Sequence, residues 1–252
     1  MKLVILGRKS ESTYILTNYL NKNFSIECVF VENKLGKKHF FKRRIKKLGL
    51  AIVLGQILFK VLIEKPMRIG SNRKISQIKH IHKLNANIPS VPLEVVESVN
   101  SPILISKLKE IAPQLVIVSG TRIISEAVLR CIDAPFINIH AGITPRYRGV
   151  HGAYWALTED KSNLAGVTVH FIDKGIDTGE VIDQAIIEID KTDNFCTYPI
   201  KQLVSGLPML KDIIQAISKN QLIVKESKVK TSKLWSHPTI FQYIKHFING
   251  VK

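Results

Sequence analysis

Residues 115–140, LVIVSGTRIISEAVLRCIDAPFINIH, contain two short apolar runs on either side of a segment with helical periodicity. The runs from Leu115 to Val118 and from Phe136 to Ile139 are typical of buried strands. The spacing of apolar residues from Ile124 to Cys131 predicts a helix between them. Because a helix that joins two buried strands is the usual connection in a parallel sheet, this stretch favours an α/β fold.

The same alternation extends outward in both directions along the chain. Further strands are predicted at Leu3 to Leu6, Ile26 to Val31 and Val167 to Ile172, and further helices at Ile103 to Ala112 and about Thr197 to Asn220. The predicted fold class is therefore α/β and Rossmann-like, a mostly parallel twisted sheet with helices on both faces. In such a sheet, ligands bind beyond the carboxyl ends of the strands.

Two basic segments fall outside this alternation. We predict a catalytic domain over 1–220 that carries a helical, basic insertion at about 34–87, followed by a short basic C-terminal tail over 221–252. The insertion includes Leu48 to Ile63, which is largely apolar but too short to span a bilayer comfortably. Two roles stay open for the insertion: a helical pair packed on the core with solvated Lys and Arg side chains, or peripheral contact with an anionic membrane.

Composition narrows the class of protein. The chain has 252 residues, 45% of them hydrophobic, and a formal net charge of +17, which indicates an anionic partner without distinguishing nucleic acid, membrane or a phosphorylated substrate. Cys28, Cys131 and Cys196 are widely spaced, so neither a disulfide framework nor a zinc knuckle is indicated. The N-terminal apolar run is too short for a signal peptide. We therefore predict a cytoplasmic protein, with a peripheral position at the inner membrane face left open.

The polar residues with the clearest chemical pattern lie near two predicted strand ends. Asn138 and His140 stand at i and i+2, so their side chains project from one face of a strand. Asp177 lies in a glycine-flanked loop directly after the strand that ends at Ile172. An amide, an imidazole and a carboxylate at one sheet edge suit acyl transfer. On the residues alone, simple hydrogen bonding of Asn138 and His140 to local backbone stays open.

The segment from Ser119 to Ala185 resembles the folate-dependent formyltransferase family, which includes glycinamide ribonucleotide formyltransferase, methionyl-tRNA formyltransferase and the sugar N-formyltransferases. The resemblance is carried by an ordered set of motifs: Asn138-x-His140, Pro145-Arg146-Tyr147-Arg148-Gly149, Val167-Thr168-Val169-His170-Phe171, and Asp177 in its loop. It implies a Rossmann-like formyltransferase fold.

The resemblance also implies a reaction and a set of roles. N10-formyltetrahydrofolate would be the co-substrate, and an amine would attack its formyl carbon. Asn138 and His140 would donate hydrogen bonds to the formyl oxygen, while Asp177 would orient His140 and help to remove the amine proton. By the same resemblance, folate would contact the segment formed by Arg122, Ile123 and Ile124, together with Asp173.

Contacts with the acceptor and with metals are predicted from residue chemistry. Candidate substrate-binding side chains, several of them suited to a phosphate, are Arg8, Lys9, Ser10, Arg146, Arg148 and His151. His80-x-His82 has a spacing that occurs in metal sites, but carboxylates and cysteines do not cluster near it in the sequence. We therefore predict no metal cofactor.

The acceptor is predicted from departures within the family. The first turn, Gly7-Arg8-Lys9-Ser10, keeps little of the glycine content of the purine-pathway enzyme, and only a short tail follows the last core helix where the tRNA enzyme has a β-barrel. The stretch from Asn138 to Gly152 is closest in style to bacterial sugar N-formyltransferases. The expected acceptor is a primary amine on a nucleotide-linked amino sugar for surface polysaccharide.

Several alternatives stay open at this stage. The first is a formyltetrahydrofolate hydrolase, although its family carries an N-terminal regulatory domain. Glycinamide ribonucleotide and methionyl-tRNA are alternative acceptors, and a non-catalytic protein that binds anionic surfaces is a more distant reading. The expected partner is a small molecule rather than nucleic acid, and a homodimer is left open.

Overall fold

A computed structural model describes residues 1–33, 36–227 and 229–252 of the chain. Its strands are β1 (Leu3–Arg8), β2 (Ile26–Glu32), β3 (Leu93–Val96), β4 (Leu115–Ser119), β5 (Phe136–His140), β6 (Arg148–Gly149), β7 (Gly166–Phe171), β8 (Val181–Ile186) and β9 (Leu234–Trp235). Seven of them form one sheet in the order β3-β2-β1-β4-β5-β7-β8, and β6 pairs separately with β9. β1 to β5 are parallel, whereas β7 and β8 are antiparallel.

The helices surround this sheet. They are α1 (Glu11–Leu20), α2 (Lys37–Leu48), α3 (Leu50–Leu58), α4 (Lys65–Ile81), α5 (Pro102–Ile111), α6 (Glu126–Leu129), α7 (Gly152–Thr158), α8 (Tyr198–Ser218) and α9 (Ile240–Ile248). A π-helical segment, Phe59–Glu64, joins α3 to α4. The predicted fold class, a mostly parallel sheet within an α/β protein, is confirmed. The helix predicted from Ile124 to Cys131 is shorter than expected, because Ser125 adopts an extended conformation and the helix begins only after it.

The alternation of β1 shows why the sheet is covered on both faces. Leu3 and Ile5 pack against α1 and α8 on one face, while Val4 and Leu6 pack against α5 and α6 on the other. All four side chains are fully buried. Since successive side chains of a strand point to opposite faces, a continuous apolar run is what a strand buried on both faces requires.

A third apolar cluster joins the insertion, the loop after β5 and the C-terminal tail. Phe59 of the π-helical segment lies edge-on to Phe195, with ring centroids 5.0 Å apart, and 5.1 Å from Tyr243 of α9. Trp155 of α7 stacks on Trp235 of β9 at 4.5 Å. The insertion and the tail are therefore packed into the same body as the loop that follows β5.

The described part of the predicted insertion is helical, since α2, α3, the π-helical segment and α4 occupy most of it. Lys34, at the predicted start of the insertion, lies outside the described residues. Within the residues that the structure describes, no helix is both long enough and apolar enough to cross a membrane. The domain boundaries at 220 and 221 stay predictions.

Leu210 tests the packing of α8 on the sheet. Its side chain is fully buried in the cluster that α8 forms with β1 and α1. We expect Leu210→Ala to lower the free energy of unfolding by about 2–5 kcal/mol, because the lost methyl groups leave a cavity. Urea denaturation measures this change. Gln215→Ala, at an exposed position of the same helix, should change it by less than about 0.5 kcal/mol. Equal small changes in both variants would contradict this packing.

Candidate active site

A cavity of about 570 Å³ lies at the carboxyl ends of β1, β4 and β5. Strand order reverses between β1 and β4, which is the position where open α/β sheets bind ligands. Arg8 at the end of β1, Ser119 at the end of β4 and His140 at the end of β5 contribute to the lining. The volume falls in the range of small-molecule sites.

Asn138, His140 and Asp177 meet in this cavity. The Asn138 Nδ2 donates to Asp177 Oδ1 at 3.3 Å, and His140 Nδ1 lies 3.4 Å from Asp177 Oδ2. The structure thus brings together the three residues that the sequence groups as catalytic. β5 presents the amide and the imidazole on one face, and the loop between β7 and β8 supplies the carboxylate.

His140 is held in one orientation by its two ring nitrogens. Its Nε2–H donates to the Tyr147 carbonyl oxygen at 2.8 Å, which leaves Nδ1 directed at Asp177. Burial lowers the pKa of His140 below its usual value, although the negative charge of Asp177 acts in the opposite direction. The resting imidazole is therefore neutral near pH 7 and can take up a proton when negative charge develops beside it.

Asp177 is held by the backbone around it. It has a positive φ of 50°, a left-handed conformation that Asp and Asn tolerate better than most residues. Its Oδ2 accepts a hydrogen bond of 2.8 Å from the Gly149 N–H. Burial opposes ionisation of this carboxyl group, but His170, His140 and the Gly149 N–H outweigh that effect, and the pKa of Asp177 lies below its usual value. The group is a carboxylate at neutral pH.

His170 completes the cluster and had no assigned role among the predicted site residues. It pairs across the sheet with Asn138, and its Nδ1–H donates to the Phe171 carbonyl oxygen at 2.7 Å. Nε2 is then free to accept from Asn138 Nδ2 at 3.2 Å. Both hydrogens of the Asn138 amide are thereby engaged, one with His170 and one with Asp177. The sequence signal was a polar residue in the interior of an apolar strand.

The residues predicted to contact folate line one side of the cavity. Arg122, Ile123, Ile124 and Asp173 all contribute to its lining. The Arg122 N–H donates to Glu32 Oε1 at 2.7 Å, and the Arg122 guanidinium pairs with Glu32 Oε2 at 2.6 Å. These contacts fix the segment in place and leave its apolar side chains to face the cavity. Glu32, nearly fully buried at the end of β2, was missed in the sequence; a carboxylate that ends a buried strand was the available signal.

The predicted substrate-binding residues divide into two groups. Arg8 and His151 line the cavity. Of the remaining predicted residues, none belongs to the described cavity lining: Ser10 caps α1, Lys9 is exposed, Arg146 pairs with Glu159 at 2.8 Å, and Arg148 donates to the Ile176 carbonyl oxygen at 3.2 Å. Their contacts with a substrate stay predictions.

His151 links the cavity to the C-terminal tail. Its Nε2 lies 2.8 Å from Nδ1 of His237, and its ring packs on Phe195 with centroids 4.3 Å apart. Burial lowers the pKa of both imidazoles, that of His151 well below its usual value and that of His237 to about 4. The pair is therefore neutral at pH 7 and shares a single proton in the hydrogen bond. Nothing in the sequence brought His237 to attention.

Metal ligands do not gather in the described part of the chain, where no group of three or more His, Cys, Asp or Glu side chains has a metal-binding arrangement. The chemistry that the cavity offers is instead hydrogen bonding and proton transfer. A neutral imidazole, an amide and a carboxylate can stabilise an oxyanion and accept a proton.

A Rossmann-like sheet with an amide, an imidazole and a carboxylate at its switch point defines an α/β protein suited to acyl-group transfer. Residues 62–202 match the model of the formyl transferase family, which covers more than half of the chain. The chain belongs to this family, and the predicted membership is confirmed. The matched range includes Asn138, His140 and Asp177.

Known proteins resemble this chain at two levels. The methionyl-tRNA formyltransferase of Thermodesulfovibrio yellowstonii is 30% identical over 178 residues, which are 70% of this chain and 55% of that protein. The chain thus spans about half the length of the curated relatives it matches.

Solved structures share the fold at low identity. Glycinamide ribonucleotide transformylase 1 from Symbiobacterium toebii gives a TM-score of 0.60 at 16% identity, over 92% of this chain and 94% of that one. An N-formyltransferase from Helicobacter canadensis, in complex with folinic acid and dTDP-3-aminofucose, gives 0.56 at 18% identity, over 94% of this chain and 71% of that one.

The coupling of Asp177 to His140 can be measured directly. In Asp177→Asn the negative charge is lost while burial remains, so we expect the pKa of His140 to fall below its wild-type value. NMR titration of ring-labelled histidine gives both values. Asn also tolerates the positive φ, which keeps the loop in place. An unchanged His140 titration in a folded variant would contradict the electrostatic contact.

The buried histidine pair predicts a pH dependence of stability. His237 has a pKa of about 4 in the folded chain and about 6.5 when unfolded, so the unfolded state binds more protons between these values. The stabilisation is complete above pH 6.5 and is lost as the pH falls towards 4, by at most about 3 kcal/mol. His237→Asn, whose amide approximates the Nδ1 position, should flatten the curve of unfolding free energy against pH in this window. Parallel curves for both proteins would refute it.

Proposed function

We propose that this protein transfers a formyl group from N10-formyltetrahydrofolate to a primary amine. The observation that carries this proposal is the meeting of Asn138, His140 and Asp177 on one wall of a cavity at the switch point of the sheet. The cavity also offers apolar side chains for a flat ring, such as those of Ile124, Ile139 and Ile172. Membership of the formyl transferase family supports the same reaction.

The residues support a division of labour in this reaction. When the amine attacks the formyl carbon, negative charge develops on the formyl oxygen. His140 takes up a proton from water at Nδ1, and this N–H donates a hydrogen bond that the formyl oxygen shares with Asp177 Oδ2, since the Nε2–H stays with Tyr147. Asp177 then lies beside the imidazolium and stabilises it, and its other oxygen accepts the proton of the attacking amine, directly or through a water. The tetrahedral intermediate collapses when the bond between the formyl carbon and N10 breaks. N10 takes the proton that Asp177 holds and tetrahydrofolate leaves, while His140 gives up its added proton and is neutral again.

Asn138 must exchange one contact to take part. Its two amide hydrogens are directed at His170 Nε2 (3.2 Å) and Asp177 Oδ1 (3.3 Å). Asp177 Oδ1 is the oxygen proposed to accept the proton of the amine, so the hydrogen of Asn138 that is directed at it is the one we assign to the formyl oxygen. His170 keeps the amide oriented during the exchange.

The proposed acceptor is the amine of a nucleotide-linked amino sugar. The net charge of +17 favours approach of a diphosphate, and Arg8, whose side chain is 57% exposed at the cavity, can contact it. The Helicobacter canadensis enzyme, whose structure holds dTDP-3-aminofucose, shares the fold. The motif from Asn138 to Gly152 supports the same class.

Methionyl-tRNA is the second candidate acceptor. Curated relatives that align with this chain include methionyl-tRNA formyltransferases at 28–34% identity. The positive charge suits a polyanionic substrate as well as a nucleotide sugar. The two acceptors share the same reacting amine chemistry and differ only in what holds the rest of the molecule.

Mass spectrometry separates these acceptors. The protein is incubated with N10-formyltetrahydrofolate and, in separate reactions, nucleotide-linked 3-amino and 4-amino sugars, methionyl-tRNA and glycinamide ribonucleotide. We expect one amino sugar to gain a formyl group with matching release of tetrahydrofolate. Formylated methionyl-tRNA or ribonucleotide would replace the proposed acceptor but keep the reaction. Formate release without a formylated acceptor would indicate a hydrolase, and no turnover of the folate would refute the proposal.

Variants of the cluster test its role in this reaction. We expect His140→Ala to lower kcat/KM by about 100-fold to 10,000-fold, because a donor to the developing oxyanion is lost. His80→Ala, at an exposed position of α4, is the matched control and should retain wild-type rates. Circular dichroism confirms that both variants fold. Equal rates in the two variants would remove His140 from the mechanism.

A further inference from the structure

α9 presents more apolar surface than the rest of the protein covers. Tyr243 packs inward and is nearly fully buried, but Phe241 and Ile248 are each 76% exposed, and Phe247 is 52% exposed. Ile244, with Phe241 and Ile248, follows the i, i+3, i+7 spacing of one helical face. The helix is well formed, with a capping box between Thr239 and Gln242. An ordered amphipathic helix therefore displays an apolar face to solvent.

α3 lies alongside α9 and displays apolar residues as well. The two helices are in direct contact. A Cβ placed on Gly55 would lie 3.0 Å from Thr239, which caps α9, and Phe59, which directly follows α3, contacts Tyr243. Leu50, Leu54 and Leu58 recur every four residues, and each is about half exposed. Together, the exposed side chains of α3 and α9 form what we call the α3–α9 face.

Basic residues border the α3–α9 face. α2 packs against α3, with Arg44 hydrogen-bonded to Gln56, and seven of its twelve residues are Lys or Arg. Lys46 and Lys47 are exposed, and the sequence of α2 contains no Asp or Glu. An apolar face beside a helix rich in Lys and Arg combines the two features of helices that lie at an anionic membrane surface.

We propose that the α3–α9 face docks on an anionic lipid surface, with the side chains of α3 and α9 in the headgroup region and the cations of α2 against the lipid phosphates. Charge favours this occupant over a second copy of the chain, because a second copy would bring the same positive helix to the interface. The exposed apolar side chains favour lipid over nucleic acid, because nucleic acid offers no partner for a row of aliphatic side chains. This docking is independent of the reaction proposed for the cavity.

Co-sedimentation with vesicles tests the docking. We expect the protein to sediment with vesicles of equal parts phosphatidylglycerol and phosphatidylcholine at low salt, and to remain in solution with phosphatidylcholine alone. High salt should weaken binding, because the electrostatic part is screened. Absence of binding to the phosphatidylglycerol vesicles would overturn the proposal.

Matched variants locate the contact. Phe241→Ser combined with Ile248→Ser should weaken binding at least about tenfold, while Ile88→Ser combined with Ile103→Ser removes two equally exposed apolar side chains elsewhere and should leave it unchanged. Equal effects of the two double variants would overturn the assignment to this face.

A second pair of matched variants tests the contribution of the basic residues of α2, which border the α3–α9 face. Lys46→Glu combined with Lys47→Glu should also weaken binding at least about tenfold. Lys22→Glu combined with Lys109→Glu changes the net charge by the same amount at exposed positions in the turn after α1 and in α5, and should have a smaller effect. If both pairs weaken binding equally, only the net charge acts and the proposal fails.

Sedimentation velocity tests the other occupant of the face, a second copy of the chain. A concentration-dependent dimer that is lost in the variant with Phe241→Ser and Ile248→Ser would assign the face to a second copy and overturn the proposal.

Discussion

The hydrogen bond from the Gly149 N–H to Asp177 Oδ2 joins strand β6 to the loop between β7 and β8, and the geometry of the cavity depends on it. Without this contact, the Asp177 carboxylate would be held in the cavity only by the side chains of Asn138, His140 and His170. Gly149 itself has a φ of 94°, and a Cβ there would lie 2.3 Å from the Trp235 carbonyl oxygen. The backbone at this one position therefore aligns the Asp177 carboxylate and leaves room for β9 beside it.

Burial sets the chemical state of the groups around this contact. The cavity end of the sheet holds His140 and His151 as neutral imidazoles because both are removed from water, whereas Asp177 stays ionised because its partners outweigh the cost of burial. A carbonyl oxygen that develops negative charge needs a hydrogen-bond donor, and the proposed reaction obtains one when His140 gains a proton beside the fixed carboxylate. The large net positive charge of the chain acts at longer range, where it attracts anions towards the protein.

Local pattern predicted the centre of the sheet and the grouping of Asn138 with His140, because an uninterrupted apolar run and an i, i+2 spacing are properties of single strands. It missed β3 and β8, whose sequences include Glu94 and Asp183 and which lie at the two edges of the sheet. Local sequence pattern also could not predict contacts between residues that are far apart in the chain. The pairing of Arg122 with Glu32, and of His151 with His237, follows from topology and leaves no periodic signal in either segment.

The third apolar cluster connects the α3–α9 face to the cavity wall. Tyr243 and Phe195 each contact Phe59, and Phe195 packs on His151, which lines the cavity. A continuous path of rings does not by itself transmit a signal, because coupling needs an element with two arrangements that both sites bias. The rings here are closely packed. The Tyr154 hydroxyl is hydrogen-bonded to His246 Nδ1 at 2.8 Å, whereas the buried Tyr243 hydroxyl has no hydrogen-bond partner among the described residues. Because close packing gives the cluster one arrangement rather than two, we expect occupation of the outer face and chemistry in the cavity to proceed independently.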